Sequence, residues 1–243
     1  KRFDVGIVGP YTVENYGNNI QYYSLYRAVL KEGYSALMIE RPKNAIWKPN
    51  ERPVLFSENP YDPKDLAPIF PSKRAMRQLN KKVKSFLVGS DQLFRCHLYK
   101  ELGKYVTLDW VEDDIPKSVY GLSFGIDTFP NKPFTKWKMT RDLKHFDMLS
   151  FREKSGQQLM QTKFGGLTGP VVLDPVFLMD QADFQLLIKK SKRDIPPKSL
   201  FCYILDKQDK KDAIVRQFAK AQKLNVQVLS DAARETSETR LCV

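Results

Sequence analysis

Residues 15–26 read NYGNNIQYYSLY, a few residues after the strand-like run DVGIVGP (residues 4–10). Asn15, Gly17, Asn18 and Asn19 crowd the point where that run gives way to the helical spacing of Ile20, Leu25, Val29 and Leu30. A strand that ends in a polar, glycine-bearing loop and resumes as a helix opens a β-α-β unit. In open parallel sheets, ligands gather at the carboxyl ends of such strands. A helix N-terminus there offers unpaired N–H groups and a positive dipole end to an anion. Gly17 lets the backbone come close, and Asn18 or Asn19 suits the helix cap. A simple cap and turn would use the same residues, so this stretch alone leaves turn and site open.

Outward from it, strand and helix patterns alternate. Strands are expected at 4–9, 35–40, 85–90, 118–126, 147–153 and 171–178, several of them continuous apolar runs of the kind covered on both faces. Helices are expected near 18–32, 72–84, 133–145 and 154–164. The alternation predicts an α/β fold, a parallel sheet with crossover helices. Residues 41–71, rich in proline and asparagine, interrupt the rhythm and read as a loop overhanging the sheet. The charged stretch 191–198 reads as a linker between a first domain (1–190) and a second unit (199–243) of strand, helix and strand. Two strands and one helix cannot close a core, so the natural chain is expected to continue beyond Val243.

The composition is that of a folded globular chain: 42% hydrophobic and 28% charged residues over 243 positions. No apolar run approaches a membrane span. Cys96, Cys202 and Cys242 are odd in number and lack metal spacing, so they are read as reduced thiols of a cytosolic protein, with no metal expected. The net charge of +12 is the extreme value and favours an anionic partner. Part of it sits in SKRAMRQLNKKVK (72–84), read as a basic amphipathic helix suited to an anionic membrane surface, or more ordinarily to a packed core with a solvated basic face. No helix-turn-helix, zinc-finger or aromatic RNA-binding signature supports nucleic acid as the partner.

Further polar residues fall at expected strand ends. FLVGSDQLF (86–94) ends its strand in Gly89, Ser90 and Asp91, where Asp91 suits a cap or the orientation of a ligand hydroxyl. GLSFG (121–125) places Ser123 and Gly125 at the next end, and SFREKS (150–155) brings Arg152 out of an apolar strand. A guanidinium there can hold carboxylate or phosphate through paired hydrogen bonds, with Glu153 as the bland alternative partner. In VVLDPVFL (171–178), Asp174-Pro175 predicts a bend carrying an acid to the same cleft.

Taken in order, NYGNNIQYYSLY, FLVGSDQLF, SFG, SFREKS and LDPVFL resemble the polysaccharide pyruvyl transferase family, from residue 4 to about 180. The resemblance implies two facing Rossmann-like domains of the GT-B kind. It also implies transfer of a pyruvyl group from phosphoenolpyruvate to two hydroxyls of a saccharide, as a ketal, in bacterial capsular or exopolysaccharide synthesis. The acceptor in that family is often lipid-linked. No cofactor beyond the donor substrate is implied, and the setting is cytoplasmic, at most peripheral to the inner membrane face. On this resemblance Arg152 holds the donor, while Asn15, Gly17, Asn18, Gly89, Ser90, Asp91, Ser123 and Asp174 line the cleft. The family's general-acid histidine stands in a His-Gly motif that neither His97 nor His145 matches, and it is expected beyond Val243. A nucleotide-sugar glycosyltransferase of the same architecture, an inactive relative and a basic binding module stand as the alternatives.

Overall fold

The structure, a computed structural model, describes residues 2–11, 15–43, 59–130, 132–190, 195–204 and 209–229. Five parallel strands form the main sheet: β1 (Phe3–Val8), β2 (Ala36–Ile39), β3 (Val83–Val88), β4 (Lys117–Leu122) and β5 (Met148–Phe151), in the order β2-β1-β3-β4-β5. Helices α1 (Tyr16–Lys31), α3 (Cys96–Val106), α4 (Pro133–Leu143) and α5 (Lys154–Lys163) follow β1, β3, β4 and β5, and a short α2 (Lys73–Met76) precedes β3. Among the described residues no helix is long and apolar enough to cross a membrane.

The two faces of the sheet read directly from the alternation of side chains along each strand. Val8, Leu37, Ile39, Phe86, Val88 and Val119 join one core, closed by α3, α4 and α5 through Tyr99, Leu102, Met139, Leu143, Leu159 and Met160. Ile7, Met38, Leu87 and Tyr120 point the other way, onto α1, through Tyr22, Tyr23, Leu25 and Tyr26. Both faces being covered, β2 is apolar at every position, and β1 and β3 end in the apolar pairs Ile7-Val8 and Leu87-Val88. Helix α6 (Gln181–Lys190) closes along α1: Asp183, 1% exposed, receives Arg27 Nε at 2.9 Å and Lys31 Nζ at 2.7 Å.

Two expectations are corrected, and one helix is added to those expected. Residues 72–84 are not one basic helix. Ser72 caps α2, a 3-10 turn covers Arg77–Lys81, and Val83 already belongs to β3, pairing with Phe3 of β1. Register with β1 overrides the local helical pattern, and Met76 and Leu79 serve the core. Residues 171–178 are not a strand. Val171 makes a single parallel bridge to Phe151, and then Pro175, lacking an N–H, begins a 3-10 turn (Pro175–Leu178) capped by Asp174. The helix between β3 and β4 is α3, whose Tyr99, Leu102 and Val106 show helical spacing.

Of the segment 41–71, residues 44–58 lie outside the described residues. Residues 59–71 pack down rather than overhang: Leu66 bridges Met38 at the sheet edge, and Tyr61 and Phe70 are buried. The strand, helix and strand expected after the linker are present as β6 (Ser199–Tyr203), α7 (Asp209–Gln222) and β7 (Asn225–Leu229), with β6 and β7 paired in parallel as a two-stranded sheet.

Candidate active site at the carboxyl end of the sheet

The strand order reverses between β1 and β3, since the chain builds outward to β2 on one side and to β4 and β5 on the other. The crevice of an open α/β sheet lies at such a switch point. Here the two flanking strands end in Gly9 and Gly89, and the ring of Tyr22 from α1 lies across both. A Cβ on Gly9 would stand 1.8 Å from Tyr22 Oη, and one on Gly89 would stand 2.5 Å from Tyr22 Cε1. Both glycines are therefore required by the protein's own packing. The Tyr22 hydroxyl is buried without a hydrogen-bond partner among the described residues. Burial, with Asp91 and Glu40 nearby, holds its pKa well above the usual tyrosine value.

Asn15, not Asn18 or Asn19, caps α1. Its backbone is extended and its Oδ1 accepts the Asn18 N–H at 3.0 Å, meeting one of the N–H groups that a helix start leaves open. Asn18 turns inward and donates through Nδ2 to the Pro10 carbonyl at 2.6 Å, tying the loop to its helix, while its Oδ1 is buried without a partner among the described residues. Gly17 is exposed in the first turn. A Cβ there would meet nothing closer than Asn15 Oδ1 at 3.4 Å, an ordinary contact. Packing does not explain that glycine, and it leaves bare backbone facing outward.

The centre of the cluster is Asp174. Its Oδ2 accepts Arg152 Nη1 at 3.1 Å and also the Gln21 side-chain amide, while its Oδ1 accepts the Val176 N–H at 3.0 Å. Arg152, just past β5, is thereby joined through one carboxylate to the second turn of α1. Its Nε lies 3.7 Å from Glu153, beyond a hydrogen bond, so Asp174 rather than Glu153 is its main partner.

Arg152 reaches this position by way of a bulge in the β4–β5 ladder. The register shifts between Val119 and Leu122, with Gly121 at φ +63°. The Ser150 hydroxyl fills the gap, accepting from Gly121 N at 2.9 Å and donating to the Val119 carbonyl at 3.1 Å.

Asp91 follows β3 and sits half-buried at φ +112°, in the left-handed region that costs a residue with a Cβ about 1–3 kcal/mol. Burial raises its pKa. The Gln92 N–H and the nearby Arg152 charge draw it back, and the Asp174 charge adds to the rise. Arg152, Asp91 and Asp174 thus share one electrostatic neighbourhood. Ser90 and Ser123 lie beneath it, and their hydroxyls are used within the protein. Ser90 Oγ donates to the Gly121 carbonyl at 3.1 Å, and Ser123 Oγ donates to Glu153 Oε1 at 2.8 Å. They brace β3, β4 and the start of α5.

Gln21, Tyr22 and Glu153 complete the cluster. Asn18, Gln21 and Tyr22 share one helix face by their spacing, a signal present in the sequence. His97 is exposed in the first turn of α3, and His145 follows α4 at the opposite, amino end of the sheet, beside the Asp147–Lys117 backbone bond.

No curated protein matches the chain in a sequence comparison. A family model described as Polysaccharide pyruvyl transferase matches residues 15–234, from the Asn15 cap through the whole cluster to the second unit. The chain belongs to the polysaccharide pyruvyl transferase family.

Proposed function

We propose that the protein transfers the pyruvyl group of phosphoenolpyruvate to two hydroxyls of a saccharide, in the synthesis of a bacterial surface polysaccharide. The observation that carries this reading is Arg152, a guanidinium at the carboxyl end of β5 held by Asp174, whose carboxylate also takes the Gln21 amide from the second turn of α1. The donor bears a carboxylate and a phosphate. Arg152 and the first turn of α1, where Gly17 is exposed, carry N–H groups that can donate hydrogen bonds to those anions.

In the reaction, the donor methylene gains a proton and becomes the methyl group. One saccharide hydroxyl oxygen bonds to the central carbon, the carbon–oxygen bond to phosphate breaks, and the second hydroxyl closes the ketal. Of the two hydroxyl protons, one balances the proton taken up by the methyl group and the other leaves with phosphate. Asp91, whose burial raises its proton affinity, is suited to take a hydroxyl proton at this site.

The test is phosphoenolpyruvate binding by calorimetry, with a nucleotide sugar as comparison. One charge-assisted contact is worth about 1.5–3 kcal/mol, so Arg152→Ala should weaken donor binding by roughly tenfold to a hundredfold. Arg152→Lys should restore part of it, keeping the charge and losing the planar fork. Asp174 keeps Gln21 and the Val176 N–H, so the fold should survive either change. A lowered melting temperature with unchanged donor affinity would remove Arg152 from the site, and binding of the nucleotide sugar alone would replace pyruvyl transfer with glycosyl transfer.

A further inference from the structure

Helix α4 presents a face that neither the fold nor the site uses. Thr135, Met139 and Leu143 are buried against the core, whereas Phe134 is 74% and Trp137 56% exposed. Their rings stack on each other at 6.0 Å, tilted by 28°. The Arg141 guanidinium lies 5.2 Å from the Trp137 ring centre, extending the flat surface by a cation. Lys132 and Lys144 are exposed at the two ends of the helix, and Lys136 and Lys138 are half-exposed along it. The helix has one acid, Asp142, which is buried and taken up by the Tyr99 hydroxyl at 2.7 Å and by Arg141 at 3.0 Å.

We propose that this face docks the protein on an anionic lipid bilayer, with Phe134 and Trp137 entering the headgroup region and the surrounding lysines meeting lipid phosphates. An aromatic pair ringed by long cationic side chains suits that boundary, where the rings leave water and the charges stay hydrated. Charge complementarity selects the occupant. A saccharide stacked on the rings would need hydroxyl-binding carboxylates or amides beside them, and the exposed neighbours along α4 are cations.

The topology adds a second argument. α4 runs back between the parallel strands β4 and β5, and the turn that follows it, just before β5, meets the start of β4 through the Asp147 N–H and the Lys117 carbonyl. Its first turn, with Phe134, therefore lies toward the carboxyl ends of the strands, the end that carries Arg152 and Asp91. A bilayer on this face would lie beside the opening of the site.

The experiment is co-sedimentation of the full chain with vesicles of phosphatidylcholine, with and without phosphatidylglycerol. Binding is expected only to the phosphatidylglycerol vesicles and should weaken as salt rises. Phe134→Ser with Trp137→Ser should lower partitioning by about tenfold per ring lost, with an unchanged melting temperature because both rings face solvent. Brominated lipid should quench the fluorescence of the wild type more than that of Trp137→Phe. No binding to anionic vesicles, or binding untouched by the double substitution, would overturn the proposal. So would an oligosaccharide affinity that the double substitution abolishes in a protein that ignores vesicles. None of these outcomes depends on the donor, so they stand apart from the test of pyruvyl transfer.

Discussion

Gly9→Ala adds a single methyl group at the point where the crevice opens. The new Cβ would lie 1.8 Å from Tyr22 Oη, 2.0 Å from Cζ and 2.2 Å from Cε1, where real Cβ atoms stay beyond 3.0 Å. β1 is an interior strand, paired on both sides by β2 and β3, so the ring has to give way. Displacing a buried aromatic ring forfeits part of the 3–5 kcal/mol that deleting one costs, and overpacking itself costs about 1–3 kcal/mol. We expect a loss of about 3 kcal/mol, or roughly 6–12 °C in melting temperature for a chain of this size. Urea and thermal unfolding of Gly9→Ala, Tyr22→Ala and the double variant measure it. If the clash is the cause, Gly9→Ala should cost little once Tyr22 is alanine, giving a coupling of about 2–3 kcal/mol. Tyr22→Phe should not rescue, because ring carbons as well as the hydroxyl stand in the way. Equal cost of Gly9→Ala in both backgrounds would refute the reasoning.

Tyr22→Phe alone should be neutral or stabilising by about 1 kcal/mol, since it removes a buried hydroxyl without a partner among the described residues; a clear loss in unfolding free energy would reveal a partner. Asp91→Asn should lower pyruvyl transfer by about a hundredfold. The Asp91 pKa is raised in the fold, so its charge costs stability only as pH rises through that folded value. Melting curves should therefore favour the Asn variant at neutral pH and converge with wild type below the ordinary carboxylate range, and a constant offset across pH would sink this account. Asp183→Asn should cost about 3 kcal/mol at neutral pH. Burial pushes Asp183 up, but hydrogen bonds from Lys31 and Arg27 outweigh it and leave the carboxyl below its ordinary range. That stability is present above the ordinary carboxylate pKa and is lost as pH falls through the lowered one, so the variant and wild type should converge in acid.

The parallel sheet and most of its crossovers were readable because fully covered strands must be apolar along their length, as Ile7, Val8, Leu37 and Met38 are. The 72–84 segment misleads because its cations and spaced apolar residues are compatible with a helix until the pairing of Val83 with Phe3 is known, and those two positions are far apart in the chain. Asp174-Pro175 was correctly read as a break, yet whether the chain resumes as strand or 3-10 turn depends on the capping bond to Val176. Arg152 is visible at a strand end and Asp174 at a bend, but their pairing is not, because Glu153 is the nearer acid in sequence and Asp174 the nearer one in space. Tyr22 was hidden by its type: a tyrosine on an amphipathic helix reads as core, and only the two glycines opposite reveal what it covers.

The carboxylate that joins Arg152 to Gln21 also sets an order of events during synthesis. Gln21 and Asp174 are 153 residues apart, Arg27 and Asp183 are 156, and Lys31 and Asp180 are 149. At about 5–20 residues per second, a ribosome needs roughly 8–30 s to cover such a separation. For that interval the polar edge of α1 has none of these three partners, although the strands that bury its opposite face are already being made. The first helix leaves the ribosome early and is completed late, so translation speed between residues 31 and 174 sets how long this edge stays open to chaperones and to neighbouring nascent chains.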